Sequence, residues 1–339
     1  MYRTARLAAC LPSPLTPDLQ GASRRICPVR HNFQQIQRLN FHNRASESSE
    51  GRDLFRTKSV NLCVKWCHPR GTDMAKLSKA PVFYTVAQVL HSPILKLDAL
   101  IPELQDQLRK EGFPGYSASI QTGFEVKADP TGTAEPKISQ KQTIAHVFAS
   151  RDSTHSIVLR EQSLAYQTVE FDSMAVFERA LAKAIEVTSR ILEPDSYTRI
   201  GMRLLDAVVH PSDDLTRYLR PEFLGLVGTL GDEWDADYTF NETLLVKEER
   251  RIKARVLCRS TPLCYPADLT HIAPPIPERF RGIEGVHAMI DSDAIFGGQN
   301  GFAREFDGAE ILTHLKALKS DLSEVFRSIV TPEALEDWK

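Results

Sequence analysis

Cysteine is scarce where it would matter most. The 339-residue chain has six, four of them (Cys10, Cys27, Cys63, Cys67) within the first 73 residues, which leaves only Cys258 and Cys264 for the remaining 266. Two cysteines cannot make a disulfide framework for a body of that size, which points to a reducing, cytoplasmic setting. No apolar run reaches 18 residues, so no membrane-spanning helix and no membrane partner are expected. The Leu7–Leu11 run is too short for a secretory core and meets Pro12 and Pro14 at once.

The familiar catalytic signatures are missing as well. There is no Gly-x-Ser-x-Gly nucleophile elbow near Ser153 and Ser156. Gly297-Gly-Gln-Asn-Gly301 lacks the Lys-Ser/Thr that completes a phosphate loop and reads as a plain loop. No His/Cys/Asp cluster beyond residue 73 has metal-ligand spacing, and no cofactor is expected.

Hydrophobic residues at 42% and charged residues at 25% suit an ordinary globular chain. The net charge of −2 conceals an asymmetry. Residues 1–73 hold twelve Lys/Arg, ten of them Arg, against five Asp/Glu; the rest of the chain holds thirty against thirty-nine. A mildly acidic body argues against a general nucleic-acid binder, which needs an extended positive surface.

Residues 1–73 carry no sustained hydrophobic period and are rich in Arg, Ser, Pro and Asn. Three readings compete: an accidental extension ahead of a true start at Met74, an Arg- and Ser-rich organellar transit peptide, or a metal-binding arm on Cys63-Val-Lys-Trp-Cys67-His68. The last lacks a second, comparably spaced ligand pair. The expectation is a disordered or misannotated extension.

After Met74 the pattern changes to strands and amphipathic helices. Val82–Leu90 alternates as a strand. Leu97, Ile101, Leu104 and Leu108 make a helical stripe, with Pro102 expected in its first turn. Residues 128–136 read as a loop between strands. Thr143–Ala149 and Ser156–Phe171 read as the next two strands, joined by a hairpin at Arg151–Thr154. Asp172 is expected to cap a helix striped by Phe177, Leu181, Ala184, Thr188 and Ile191. Tyr197–Val209 follows as a strand that places Arg199, Gly201 and Arg203 on one face. Further on come a basic strand (Lys247–Arg259), a proline-rich connection (Pro262–Pro277), a strand at Gly285–Ile290 and a helix capped by Asp307.

Glu170-Phe171-Asp172 and Glu305-Phe306-Asp307 each stand before a long helix, and each is preceded by a histidine with an aspartate six residues on: His146 with Asp152, His287 with Asp293. This points to two related strand–strand–helix units, over 144–192 and 252–329. The fold expected is α+β: a mixed, mainly antiparallel sheet with long amphipathic helices on one face. The domain limits expected are 1–73, 74–220 and 221–339, the last two forming separate units or one continuous domain.

Candidate chemistry is sparse. Arg199 and Arg203 could fork onto a carboxylate or phosphate, or could be salt-bridged parts of a sheet face. Arg251 and Arg255, in the basic strand, could contact nucleic acid. They could equally pair with the acidic block at 232–237 across a turn near Asn241-Glu242. The two His–Asp pairs could be a base with its orienter, or merely packed histidines.

The runs Ala80-Pro-Val-Phe-Tyr-Thr-Val-Ala-Gln-Val, Ser92-Pro-Ile-Leu-Lys-Leu-Asp and Tyr197-Thr-Arg-Ile-Gly-Met-Arg-Leu-Leu-Asp, with the segment Phe326 to Leu335, resemble a sporadically distributed family of uncharacterised prokaryotic proteins. The resemblance covers about residues 76–339 and favours Met74 as the start. His146-Val-Phe departs from the aromatic-rich strand expected there. That family has no established activity, so the resemblance assigns no catalytic residue. The leading expectation is a non-enzymatic binding or interaction module with a protein partner or self-association. The alternative is an enzyme or binding protein for an anionic small molecule or nucleotide, with Arg199 and Arg203 as clamp; nucleic acid is the third choice.

Overall fold

The alternating apolar pattern from Val82 to His91 forms β1, a strand buried along most of both faces. The computed structural model describes residues 77–127, 137–230, 234, 236–299 and 301–339, with backbone alone for 121–127 and 137–141. These residues fall within one compact unit, Gly71–Lys339. The expectations for residues 1–73 and for the loop at 128–136 lie outside them.

Helix α1 (Leu97–Lys110) buries the expected stripe of Leu97, Ile101, Leu104 and Leu108. Its start lies earlier than the sequence suggests, so Pro102 sits in the second turn and forfeits one internal hydrogen bond. Strands β2 (Gly115–Lys127) and β3 (Lys137–Ala149) follow. The stretch read as one strand over Ser156–Phe171 is two: β4 (His155–Arg160) and β5 (Ser163–Thr168), joined through Glu161-Gln162. Neither turn residue has a positive φ, so no glycine marks the hairpin.

Helix α2 (Met174–Leu192) is capped by Ser173, whose hydroxyl accepts from the Val176 amide; the cap is one residue later than expected at Asp172. Strand β6 (Ser196–Val208) carries the two arginines. After two short 3-10 turns come α3 (Val227–Leu230), β7 (Tyr238–Lys247) and β8 (Arg250–Arg259). The β7–β8 turn lies at Glu248-Glu249, not near Asn241-Glu242; Glu248 takes a left-handed φ of 55° without being glycine. Strand β9 (His287–Gly297) runs past its expected end, and β10 (Arg304–Glu305) is a two-residue edge on β6. Helix α4 (Gly308–Ile329) is capped by Asp307, which accepts from the Ala309 and Glu310 amides. Thr331 caps α5 (Pro332–Asp337), with proline at its start.

The fold is α+β, and every strand pairing is antiparallel. One ten-stranded sheet runs β2-β3-β4-β5-β1-β6-β9-β8-β7, with β10 off this path as the tenth strand, paired to β6. The boundary expected at 220/221 falls between the 3-10 turns, and strands from both sides of it share this sheet.

Period-2 alternation divides the sheet into two faces. One takes the apolar stripes of the helices: Ile200 and Met202 of β6, and Ile290 and Ala294 of β9, lie in a core with Leu181 of α2 and with Leu315, Leu318 and Leu322 of α4. The other face is covered by the proline-rich segment between β8 and β9. Leu263, Leu269 and Phe280 pack there against Phe83, Tyr84, Leu205 and Met289. Tyr265 meets Tyr84 edge to face at 5.4 Å and Phe83 at 5.7 Å. Arg279 donates to the Val82 carbonyl at 2.9 Å. This connection is thus a strap over the sheet, and it leaves a cavity beneath itself.

Candidate functional site

The cavity lies on the sheet face opposite the helices and has a volume of about 250 Å³. Strand register sets its floor. One row across the sheet reads Val158, Ala165, Gln88, Gly201 and Ile295 on β4, β5, β1, β6 and β9. Ala165 and Gly201 have almost no side chain, and that shortness makes the hollow. The strap supplies the roof through Asp268, Leu269 and Ile272.

The rows on either side hold the charges. Toward one end lie Arg160 of β4 and Arg199 of β6, with Ser163 and Leu90 between them. Toward the other lie Gln167, Arg203 and Asp293. Both expected arginines therefore line one cavity, but they differ in kind.

Arg203 is occupied. Its Nε donates to Asp291 Oδ1 at 2.7 Å, its Nη2 to Asp291 Oδ2 at 2.8 Å and its Nη1 to Asp268 Oδ2 at 2.6 Å. Burial opposes its charge, and the two carboxylates outweigh burial, so its pKa stands above the ordinary guanidinium value. Arg255 completes the network, donating to Asp291 at 3.0 Å and to Glu242 at 2.7 Å. Asp268 belongs to the strap, so Arg203 also ties the roof to the sheet.

Arg199 and Arg160 are not occupied in this way. Arg199 donates from Nη2 to Gln88 Oε1 at 2.8 Å, and its buried Nε has no hydrogen-bond partner among the described residues. Arg160 makes no ion pair among the described residues, and burial pulls its pKa down. Asp293 faces the same space and receives no hydrogen bond from a described side chain. Burial raises its pKa, Arg203 opposes that rise and Asp291 adds to it. Gln167 is already committed: it accepts from the Tyr84 hydroxyl at 2.6 Å and donates to Ser156 and to the Ile272 carbonyl of the strap.

A second, more open hollow of about 530 Å³ lies by α1, lined by Asp98, Ile101, Pro102, Gln105, Tyr116 and His146. His146 there meets Asp98 Oδ1 at 3.1 Å through Nε2 and the Tyr116 hydroxyl at 3.2 Å through Nδ1. Both ring nitrogens are thus hydrogen-bonded within the hollow.

The two His–Asp pairs drawn from spacing do not form. Asp152 is a turn residue that accepts from Ser150 and Thr154, bonds that hold its pKa down at about 2. His287 faces the Gly285 carbonyl at 2.9 Å, and Asp293 is six residues along the same strand, in the cavity. A strand rise of about 3.3 Å per residue puts them roughly 20 Å apart.

In the basic strand, Arg255 is held between Glu242 and Asp291. Arg251 lies four residues back on the same face and makes no ion pair among the described residues. The opposing acid is Glu242, within β7. Of the block at 232–237, Asp237 precedes β7 and is exposed, while Asp232, Glu233 and Asp235 lie outside the described residues.

No protein-family profile matches the chain, and no curated protein is significantly similar to it.

Proposed function

We propose that the protein is a binding module for a small anionic molecule, held in the cavity beneath the strap by Arg160 and Arg199. One observation carries this reading: one cavity is lined both by Arg199, whose buried Nε has no hydrogen-bond partner among the described residues, and by Arg160, a desolvated guanidinium with no ion pair among them. Buried donors are ordinarily satisfied, and a guanidinium fits carboxylate or phosphate in a planar fork. Arg203 is assigned a structural part, because Asp291 and Asp268 already occupy it. Asp293 would meet a hydroxyl or amino group of the same ligand. A volume of about 250 Å³ lies at the small end for ligand sites and suits a compact metabolite better than a dinucleotide.

The direct test is thermal unfolding with inorganic phosphate, citrate and adenosine monophosphate as probes. A ligand at 100 times its Kd adds about 2.7 kcal/mol. At least one probe should raise Tm, and Arg199→Gln and Arg160→Gln should each abolish that shift. Unchanged Tm with every probe, or a shift that survives both substitutions, would sink the reading.

The repeat of two related units is part of this proposal. What supports it is the arrangement about the central β1–β6 pair: β3, β4, β5 and α2 on one side answer to β7, β8, β9 and α4 on the other. The histidines used to draw the repeat from sequence do not correspond under this arrangement, since His146 is on β3 and His287 on β9. Kinship with the sporadically distributed prokaryotic family is likewise proposed, on residues that fall in β1, β6 and the α4–α5 junction.

A further inference from the structure

The strand β7 is an edge of the sheet, and its side chains are exposed along most of its length. Of fifteen exposed large hydrophobic residues in the described chain, eight lie between Leu226 and Val246. Tyr238, Phe240, Leu244 and Val246 share the strap-side face of β7 with Glu242, and they are 59%, 53%, 60% and 65% exposed. A long apolar edge strand is a template for pairing with another chain, and natural edges are ordinarily blunted by charge, proline or bulges. Here β7 has neither proline nor a break in its register with β8.

We infer that β7 is a homodimer edge, pairing antiparallel with β7 of a second copy about a twofold axis at Glu242. The sequence of the edge is self-complementary in that register, as an isologous interface requires. Tyr238 then faces Val246 of the second copy, and Phe240 faces Leu244, giving aromatic–aliphatic cross-strand pairs on one side. On the other side Thr239 faces Leu245, and Asn241 faces Thr243. At each end Asp237 faces Lys247 of the second copy. Both are exposed, and neither has an ion-pair partner among the described residues of its own chain. The two Glu242 carboxylates meet at the axis, but each already accepts from its own Arg255 at 2.7 Å, which offsets the like charge. The inference is independent of the cavity and its ligand.

The test is light scattering coupled to size exclusion on the full chain, across a concentration series, with circular dichroism to confirm folding of each variant. The parent chain should dimerise. Leu244→Lys should leave it monomeric and folded, since the side chain is exposed. Lys247→Glu places like charges opposite each other at both ends and should weaken the dimer roughly tenfold, from two exposed pairs of up to about 1 kcal/mol each. The double change Asp237→Lys with Lys247→Glu restores opposite charges and should recover the dimer. A chain that stays monomeric up to about 100 μM, a dimer that survives Leu244→Lys, or a double variant no tighter than Lys247→Glu alone would overturn the inference.

Discussion

Arg203 grips Asp291 through two parallel hydrogen bonds, at 2.7 and 2.8 Å, across the neighbouring strands β6 and β9. The carboxylate is almost wholly buried, and Arg255 reaches it from β8. Three strands and, through Asp268, the strap are thereby joined at one point. This fork is the geometry that gives an arginine–carboxylate pair its directional strength.

Arg203→Ala should therefore cost stability more than binding chemistry. It leaves Asp291 buried with one cation of two, and breaking a buried pair costs about 3–5 kcal/mol. The lower end is expected, because Arg255 remains. Urea unfolding measures it; a change below about 1 kcal/mol would show the pair to be dispensable.

Gly201→Ala should do the opposite. A methyl at Gly201 meets Ile295 Cγ2 at 3.6 Å and the Ala294 carbonyl at 3.7 Å, which are ordinary contacts. Relief of glycine's backbone entropy favours the variant by about 0.5–1 kcal/mol. Yet the methyl projects from the cavity floor. Tm should hold or rise, while any probe-induced shift should shrink. A variant that binds as well as the parent would place the ligand away from the floor.

Stability should depend on pH through Asp206. This residue lies on the helix face of β6, and burial raises its pKa from 3.8 to about 7, against the pull of Lys319 on α4. An acid whose folded pKa is raised holds its proton longer in the folded state. Its contribution is therefore full below about pH 4 and is lost as pH rises through about 7. Chemical denaturation of the parent between pH 4 and pH 8 should show stability declining from this source, and Asp206→Asn should flatten that decline. An equal slope in both proteins would assign it elsewhere.

Much of the local structure was legible in the residues. The stripes of α1, α2 and α4 follow from 4-3 spacing alone, and Asp307 and Thr331 cap where short-range chemistry puts them. Placing Arg199 and Arg203 on one face of β6 needed only the period of a strand. Two turns were misread because their signals are weak. Glu161-Gln162 needs no positive φ, and Glu248 adopts one without glycine. Reading β4 and β5 as a single strand hid Arg160, which ends β4 and faces the cavity.

The sequence by itself determined the apolar stripes of α1, α2 and α4, the α+β class and the shared face of Arg199 and Arg203 on β6, because periodicity depends on contacts within a few residues. Only the tertiary structure decided which arginine carries carboxylate partners and which has none among the described residues. Asp291 and Asp268 stand 88 and 65 residues beyond Arg203, and the turn that brings Arg160 toward Arg199 passes through strand register across β5 and β1. Ion pairing of that kind is set by sheet order and by the fold of the strap over it, and no local period in the chain encodes either.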